Sequence, residues 1–236
     1  MEIILRKKPK NPTIMQGFPG IGMVGAIAAE FLIQHLDTEL IGKILVDKTP
    51  PLVAVHDGKL IEPFSIYYNK KYNLIIIHSI IATPGAEWQL ADAVVALAND
   101  LNAKGIISLE GIGSTTPGNS IKTLYFTRSK TMERLLKKAK LEPLNEGIIM
   151  GQTSALLVKA DITPVSCIFA ETHSNLPDSK AAAEIIKVLD SILGLKIDYK
   201  PLLKVAAQFE EKFKDIIVQS EKAKDLQSKK QMSYVG

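Results

Sequence analysis

Six short runs of almost unbroken apolar residues constrain this chain more than any other feature: residues 13–16, 41–46, 74–78, 105–109, 147–150 and 164–170. Such runs are too short for buried helices and lack the every-second-residue polarity of a strand with one wet face. They therefore predict strands covered on both sides. Residues 59–68 add a further strand, with Asp57-Gly58 as the turn before it.

Helix-period segments fill the gaps. In residues 86–102, Leu90, Val94, Leu97, Ala98 and Leu101 share one face, and Thr83-Pro84 predicts an N-cap followed by proline at the first helical position. Residues 181–193 gather Ile185, Ile186, Leu189, Ile192 and Leu193, with Gly194 as the C-cap. Shorter helices are predicted over residues 23–35, 129–140 and 153–159. The alternation predicts an α/β fold, a three-layer sandwich around a central parallel or mixed sheet.

The character changes after Tyr199, which predicts a core domain over residues 1–199 and a C-terminal helix and flexible tail over 200–236. Pro201 can open a helix in which Leu202, Ala206, Phe209, Phe213 and Ile216 form a heptad-like seam for packing or self-association. From Gln219 to Lys230 nearly every residue is polar or small, so the helix is expected to project or fray. The last six residues carry Met232, Tyr234 and Val235 as apolar side chains in a tail.

Composition excludes several classes. The formal net charge of +4 is mild, and the excess lysine lies near the two ends rather than in a stripe, so no nucleic-acid partner is expected. Cys167, the single cysteine, cannot form an intramolecular disulfide, fits a reducing compartment and sits in an apolar run as a small buried hydrophobe. No apolar stretch approaches the roughly 18–20 residues needed to span a membrane, and the N-terminal residues lack the apolar core of a signal peptide. A cytoplasmic location is expected.

The best-known pattern in the chain is Gly20-Ile21-Gly22-Met23-Val24-Gly25, a G-x-G-x-x-G run between a predicted strand and a predicted helix. Asp47 follows about twenty residues after it, where a ribose-binding carboxylate belongs. Against a dinucleotide site, Gly17-Phe18-Pro19 separates the strand from the first motif glycine, and Lys48-Thr49-Pro50-Pro51 breaks the chain after Asp47. The alternative is that these glycines allow close helix–sheet approach and present Phe18 and Pro19 as a stiff apolar contact. Two more glycine-rich junctions, Gly111 to Gly118 and Gly151 to Ser154, are expected to gather with the first at one sheet edge. Gly20, Gly22, Gly25, Gly113, Ser114 and Thr115 would then be candidates for holding an anion or small ligand.

Catalytic groups are sparse. His35, His56, His78 and His173 show no metal-site spacing, so no metal and no cofactor are expected, and Glu171-Thr172-His173 reads best as a capped strand end. There is no G-x-S-x-G elbow, and the Glu210-Glu211 pair lies in the C-terminal helix.

The stretch Gly17-Phe18-Pro19-Gly20-Ile21-Gly22-Met23-Val24-Gly25 resembles the N-terminal signature of the family named after the second eukaryotic proteasome assembly chaperone. Pro50-Pro51, Ala82-Thr83-Pro84, Tyr125-Phe126-Thr127-Arg128, residues 147–157 and Glu171-Thr172-His173 followed by Pro177 extend the likeness over roughly residues 10–200. The resemblance implies a nucleoside-phosphorylase-like sandwich without catalysis. It also implies, for archaeal members, a homo-oligomeric chaperone of proteasome core-particle assembly. Its partners would be proteasome α subunits or a paralogous assembly chaperone.

Chaperones of this kind often end in a hydrophobic-Tyr-any tripeptide, whereas this chain ends Tyr234-Val235-Gly236. One residue of register moves the ring by about 3.3 Å in an extended chain. The implied docking element is therefore the C-terminal helix with Met232, Tyr234 and Val235, in a shifted register. The competing reading is a nucleotide- or nucleoside-binding α/β enzyme that uses the loops Gly17 to Gly25 and Gly111 to Gly118.

Overall fold

The computed structural model describes residues 1–49, 51–56, 58–82, 84–113, 121–172 and 176–204. Four strands built from the predicted apolar runs form its centre: β2 (Thr13–Gly17), β7 (Leu74–Ser79), β8 (Gly105–Gly113) and β11 (Val165–Thr172). They are parallel neighbours in the order β7-β2-β8-β11. On one side the sheet continues through antiparallel partners: β6 (Phe64–Asn69) on β7, β3 (Glu39–Leu45) on β6 and β1 (Glu2–Leu5) on β3. On the other side β9 (Thr123–Thr127) runs antiparallel to β11, and β10 (Glu142–Pro143) closes the edge. Among the described residues the sheet is therefore mixed, with nine strands. A separate two-stranded ribbon pairs β4 (Ala54–His56) with β5 (Lys59–Ile61).

Helices cover both faces, which is why the central strands are largely apolar. Helices α1 (Val24–His35) and α5 (Ser179–Leu193) pack together over one face, with α3 (Lys130–Lys138) beside α5. Helices α2 (Glu87–Asp100) and α4 (Gly151–Lys159) cover the other. Caps fix several boundaries. Ser129 accepts from the Met132 amide at 3.2 Å to start α3, Asp178 accepts from the Ala181 amide at 2.9 Å to start α5, and Gly194 ends α5 at φ 63°. A last short helix, α6 (Lys200–Lys204), folds back so that Leu202 is buried in the α1/α5 core.

Three expectations need correction. Residues 147–150 form no strand: they line the cleft just ahead of α4, with Ile148 and Met150 exposed. Helix α2 begins later than predicted, with Ala86 as its N-cap. Gly85 has φ +82°, which no helix tolerates, so Pro84 lies outside the helix. Residues 59–68 are two strands in two sheets, broken at Pro63, which has no N–H for a ladder. Strands β1, β4, β9 and β10 had no counterpart in the pattern reading, because each is short or lies at or near an edge, where continuous apolarity is not required.

Candidate functional site

The glycine run turns β2 into α1 at very close quarters. A Cβ on Gly25 would overlap the Leu109 carbonyl oxygen of β8, one on Gly17 would overlap the Gly25 carbonyl, and one on Gly111 would overlap the Ile21 carbonyl. Three bare Cα positions thus let α1, preceded by a 3-10 turn over Ile21–Met23, lie directly on β2 and β8. Gly22, at φ 64°, makes the turn itself.

A dinucleotide arrangement is absent. In the sheet, β2 neighbours β7 and β8, while β3 lies beyond β7 and β6. Asp47, just past β3, accepts a hydrogen bond from the Met1 amino group at 2.6 Å, remote from the glycine turn.

The three glycine-rich junctions do meet. Beyond the C-terminal ends of β2 and β8, a cleft of about 530 Å³ opens between Pro19–Gly20, Glu110–Gly113, the 144–150 segment and the start of α4. Its position is the usual one for ligand sites in open α/β sheets. Gly20 and Gly113 line it, whereas Gly22 and Gly25 do not. Ser114 and Thr115 lie outside the described residues. Phe18 is not the exposed contact predicted for it. It is 7% exposed, meets Phe64 edge-on at 6.4 Å between ring centroids and offers only one wall to the cleft, because the strand directs it to the α2/α4 core. Pro19 is partly exposed beside it.

Behind the cleft a file of polar side chains crosses the otherwise apolar α2/α4 layer and reaches the cleft at Glu110. Gln16 Nε2 donates to Ser108 Oγ at 2.9 Å, Ser108 Oγ lies 2.8 Å from Thr153 Oγ1, and Thr153 Oγ1 donates to Glu110 Oε2. With the carboxyl ionised, Thr153 spends its one hydroxyl proton on Glu110 and Ser108 donates to Thr153, so every donor in the file points toward the carboxylate. Burial pushes the Glu110 carboxyl up to about 7, against the lowering effect of the Thr153 hydrogen bond. Gln16 Oε1 is buried without a partner. Gln152, in the first turn of α4, ties that turn to α2 when its amide donates to the Glu87 carbonyl at 2.8 Å and accepts from the Ala91 amide at 3.2 Å.

The file runs from an amide through two hydroxyls to a carboxyl. The Cys167 thiol on β11 is buried and pushed up to about 12, first by burial and then by the nearby Glu110 charge. On the other face of the sheet, His78 Nε2 lies 3.6 Å from Glu30 Oε2 beneath α1. Burial and the Glu30 charge raise the neighbouring Tyr67 phenol. Among the described residues no three His, Cys, Asp or Glu side chains are grouped to hold a metal ion. Thr172 donates to Asp178 at 2.8 Å and so braces the α5 cap at the end of β11, while His173 lies outside the described residues. Of the C-terminal candidates, Leu202 is in the core; Ala206, Phe209, Phe213, Ile216, Met232, Tyr234 and Val235 lie outside the described residues.

The polar file was missed in sequence, although a signal existed. Gln16 and Ser108 are the polar interruptions in two apolar runs, and the strands place them directly opposite each other. Thr153 and Glu110 then follow from the α4 start and from the next outward position on β8.

Fold and cleft together define a mixed-sheet α/β sandwich with a glycine-cleared helix junction and an apolar, acid-floored cleft. The chain belongs to the PAC2 family, whose sequence model matches residues 14–217. PbaA of Pyrococcus furiosus, an archaeal homolog of proteasome-assembly chaperone, is 30% identical and superposes with a TM-score of 0.84 over 94% of this chain and 99% of its own. PbaB of the same organism, an archaeal proteasome activator, shares the fold at a TM-score of 0.77 and 22% identity, over 91% of this chain and 98% of its own. An uncharacterized protein of Methanocaldococcus jannaschii is 29% identical over 228 residues, 96% of this chain and 94% of its own. By family and fold the chain is thus proteasome-assembly-chaperone-like. No helix among the described residues is long and apolar enough to cross a membrane.

Proposed function

We propose that this protein is a non-enzymatic chaperone that assists assembly of the proteasome core particle, acting in the cytoplasm as a homo-oligomer that binds α subunits. The likeness to PbaA over nearly the whole of both chains carries this reading. The cleft supports it from the chemical side. Its floor presents the partly buried Glu110 carboxyl, already engaged by Thr153, and no cationic side chain lines it among the described residues to receive a phosphate.

Self-association has a suitable surface in the β4–β5 ribbon, which leaves Val53, Val55 and Leu60 in solvent. The C-terminal helix and Met232, Tyr234 and Val235 form the element that docks on the α subunits. The test is native mass spectrometry and size-exclusion co-elution of the full chain with proteasome α subunits. The full chain is expected to co-elute and the chain lacking residues 231–236 to bind more weakly. Unchanged binding by the truncated chain rejects the tail, and no co-elution of the full chain rejects the chaperone reading.

A further inference from the structure

Three properties coincide in the cleft above Glu110. Its walls are apolar, with Phe18, Ile112, Leu144 and Phe169 among them. Its ionisable groups are three carboxyls, Glu87, Glu110 and Glu146, with no Lys, Arg or His among the described lining residues. Its rim carries Ile148 and Met150, which are 90% and 70% exposed although they belong to one of the most apolar runs of the chain.

Each property narrows the ligand. An anion would meet three carboxyls. The positive end of α4, which has no side-chain cap, already has the Glu110 carboxyl beside its first turn through Thr153. A neutral apolar molecule would fit the walls but would strip water from Glu110 and offer nothing in return. A cation on a long apolar stem satisfies both, since the stem lies along the walls and the head makes a charge-assisted hydrogen bond to the carboxyl.

Size and rim decide what carries the stem. A small free cation would leave Ile148 and Met150 in water, and about 530 Å³ exceeds the needs of one side chain. A polypeptide with apolar residues on either side of the cation fills the cleft and covers the rim.

We propose that the cleft receives a lysine or arginine side chain from an extended apolar segment of a partner protein, with Glu110 as the anchor for its charge and Ile148 and Met150 as the seat for its apolar neighbours. The floor is prepared for this. The donors of Gln16, Ser108 and Thr153 all run toward Glu110 Oε2, which fixes that oxygen. A Cβ on Gly20 would overlap Oε1, so the glycine leaves room for the second oxygen beside the cleft. The proposal does not depend on which protein supplies the segment, so it stands or falls separately from α-subunit binding.

The test is an NMR titration of the full chain at pH 8 with the blocked peptide Ac-Ser-Val-Leu-Lys-Leu-Val-Ser-NH2 and its norleucine counterpart. Norleucine keeps the alkyl stem and removes the charge. The lysine peptide is expected to bind about tenfold more tightly, the range of a charge-assisted hydrogen bond in a sheltered site. It should shift the amide signals of residues 110–113 and 148–152. Glu110→Gln, which keeps the shape and still accepts from Thr153, is expected to remove the lysine preference. The surface variant Ile148→Ser/Met150→Ser leaves the floor intact; it is expected to weaken both peptides alike while the lysine preference remains. Equal binding of the two peptides, no binding of either, or a lysine preference that survives Glu110→Gln overturns the proposal.

Discussion

The two faces of β8 meet different surroundings although they alternate residue by residue. Ile107 and Leu109 point into the α1/α5 layer, where alanines, isoleucines and leucines pack against helices brought close by glycine. Ser108 and Glu110 point into the α2/α4 layer, where they carry the polar file from Gln16 to the cleft. One face is close-packed and dry. The other gives up apolar contact at four positions to hold a carboxyl at the mouth of a cavity. A strand in the middle of a sheet thus serves as structural floor on one side and as the base of a site on the other, because its side chains alternate with period two.

The contrast is broken most severely from the tight side. Gly25→Ala places a methyl group on the Leu109 carbonyl oxygen, and both partners are backbone, so neither can swing away. Overpacking usually costs about 1–3 kcal/mol, and this position is expected to exceed that range because α1 must lift off β8 along its length. Urea denaturation measures the loss. A variant within 1 kcal/mol of the parent, a threshold below any overpacking cost of about that size, would show that α1 is not seated on β8 by its glycines. The equivalent change on the open side, Gly113→Ala, meets nothing within 4 Å among the described residues and is expected to be nearly silent.

From the cleft side the largest effect depends on pH. Burial raises the folded-state pKa of Glu110 to about 7, above its unfolded value, so the folded state holds its proton more tightly. The stability this contributes is fully present below the unfolded pKa and is lost as pH rises toward and through about 7. Above that, the fold carries a sheltered charge at a cost on the order of 3 kcal/mol. Glu110→Gln removes that cost and nothing else of comparable size. It is expected to raise the melting temperature at pH 8 and to leave it almost unchanged at pH 4. A Glu110→Gln protein that is less stable than the parent at pH 8 would mean that the carboxylate is held by partners that compensate its burial.

The two faces also differed in how well they could be read from the sequence. The layout of the dry face followed from continuous apolar runs, the 185–193 helix pattern and Gly194, because close packing constrains every residue in those stretches. The glycine run was recognisable for the same reason. Its competing dinucleotide meaning rested on spacing alone and failed on strand order, which depends on partners far apart in sequence. The cleft was less legible. Residues 147–150 look like a buried strand, yet they line the cleft ahead of α4, a place set by contacts with segments far away in sequence. Phe18 looks like a presented side chain because of its neighbours Gly17 and Pro19, yet its place on the α2/α4 side of the sheet turns it inward. Gln16 and Ser108 are single polar residues 92 positions apart, and their pairing emerges only from the β2–β8 register.

A smaller and pH-independent effect separates the polar file from its carboxyl. Ser108→Ala leaves Gln16 Nε2 without its acceptor and Thr153 Oγ1 without its donor, both in a buried layer, and is expected to cost about 1–2 kcal/mol. Gln16→Met by itself leaves Ser108 short of a donor and removes the unpartnered Oε1, so its cost is expected to be lower. Combined, the two substitutions delete an entire hydrogen-bonded pair and make the α2/α4 side of β2 and β8 resemble the α1/α5 side. The double variant should therefore lose less stability than the sum of the single variants, with a coupling of about 1 kcal/mol in a double-mutant cycle. Strict additivity would mean that Gln16 and Ser108 act independently, and the support for Thr153 and the Glu110 carboxyl would then begin at Ser108 rather than at Gln16.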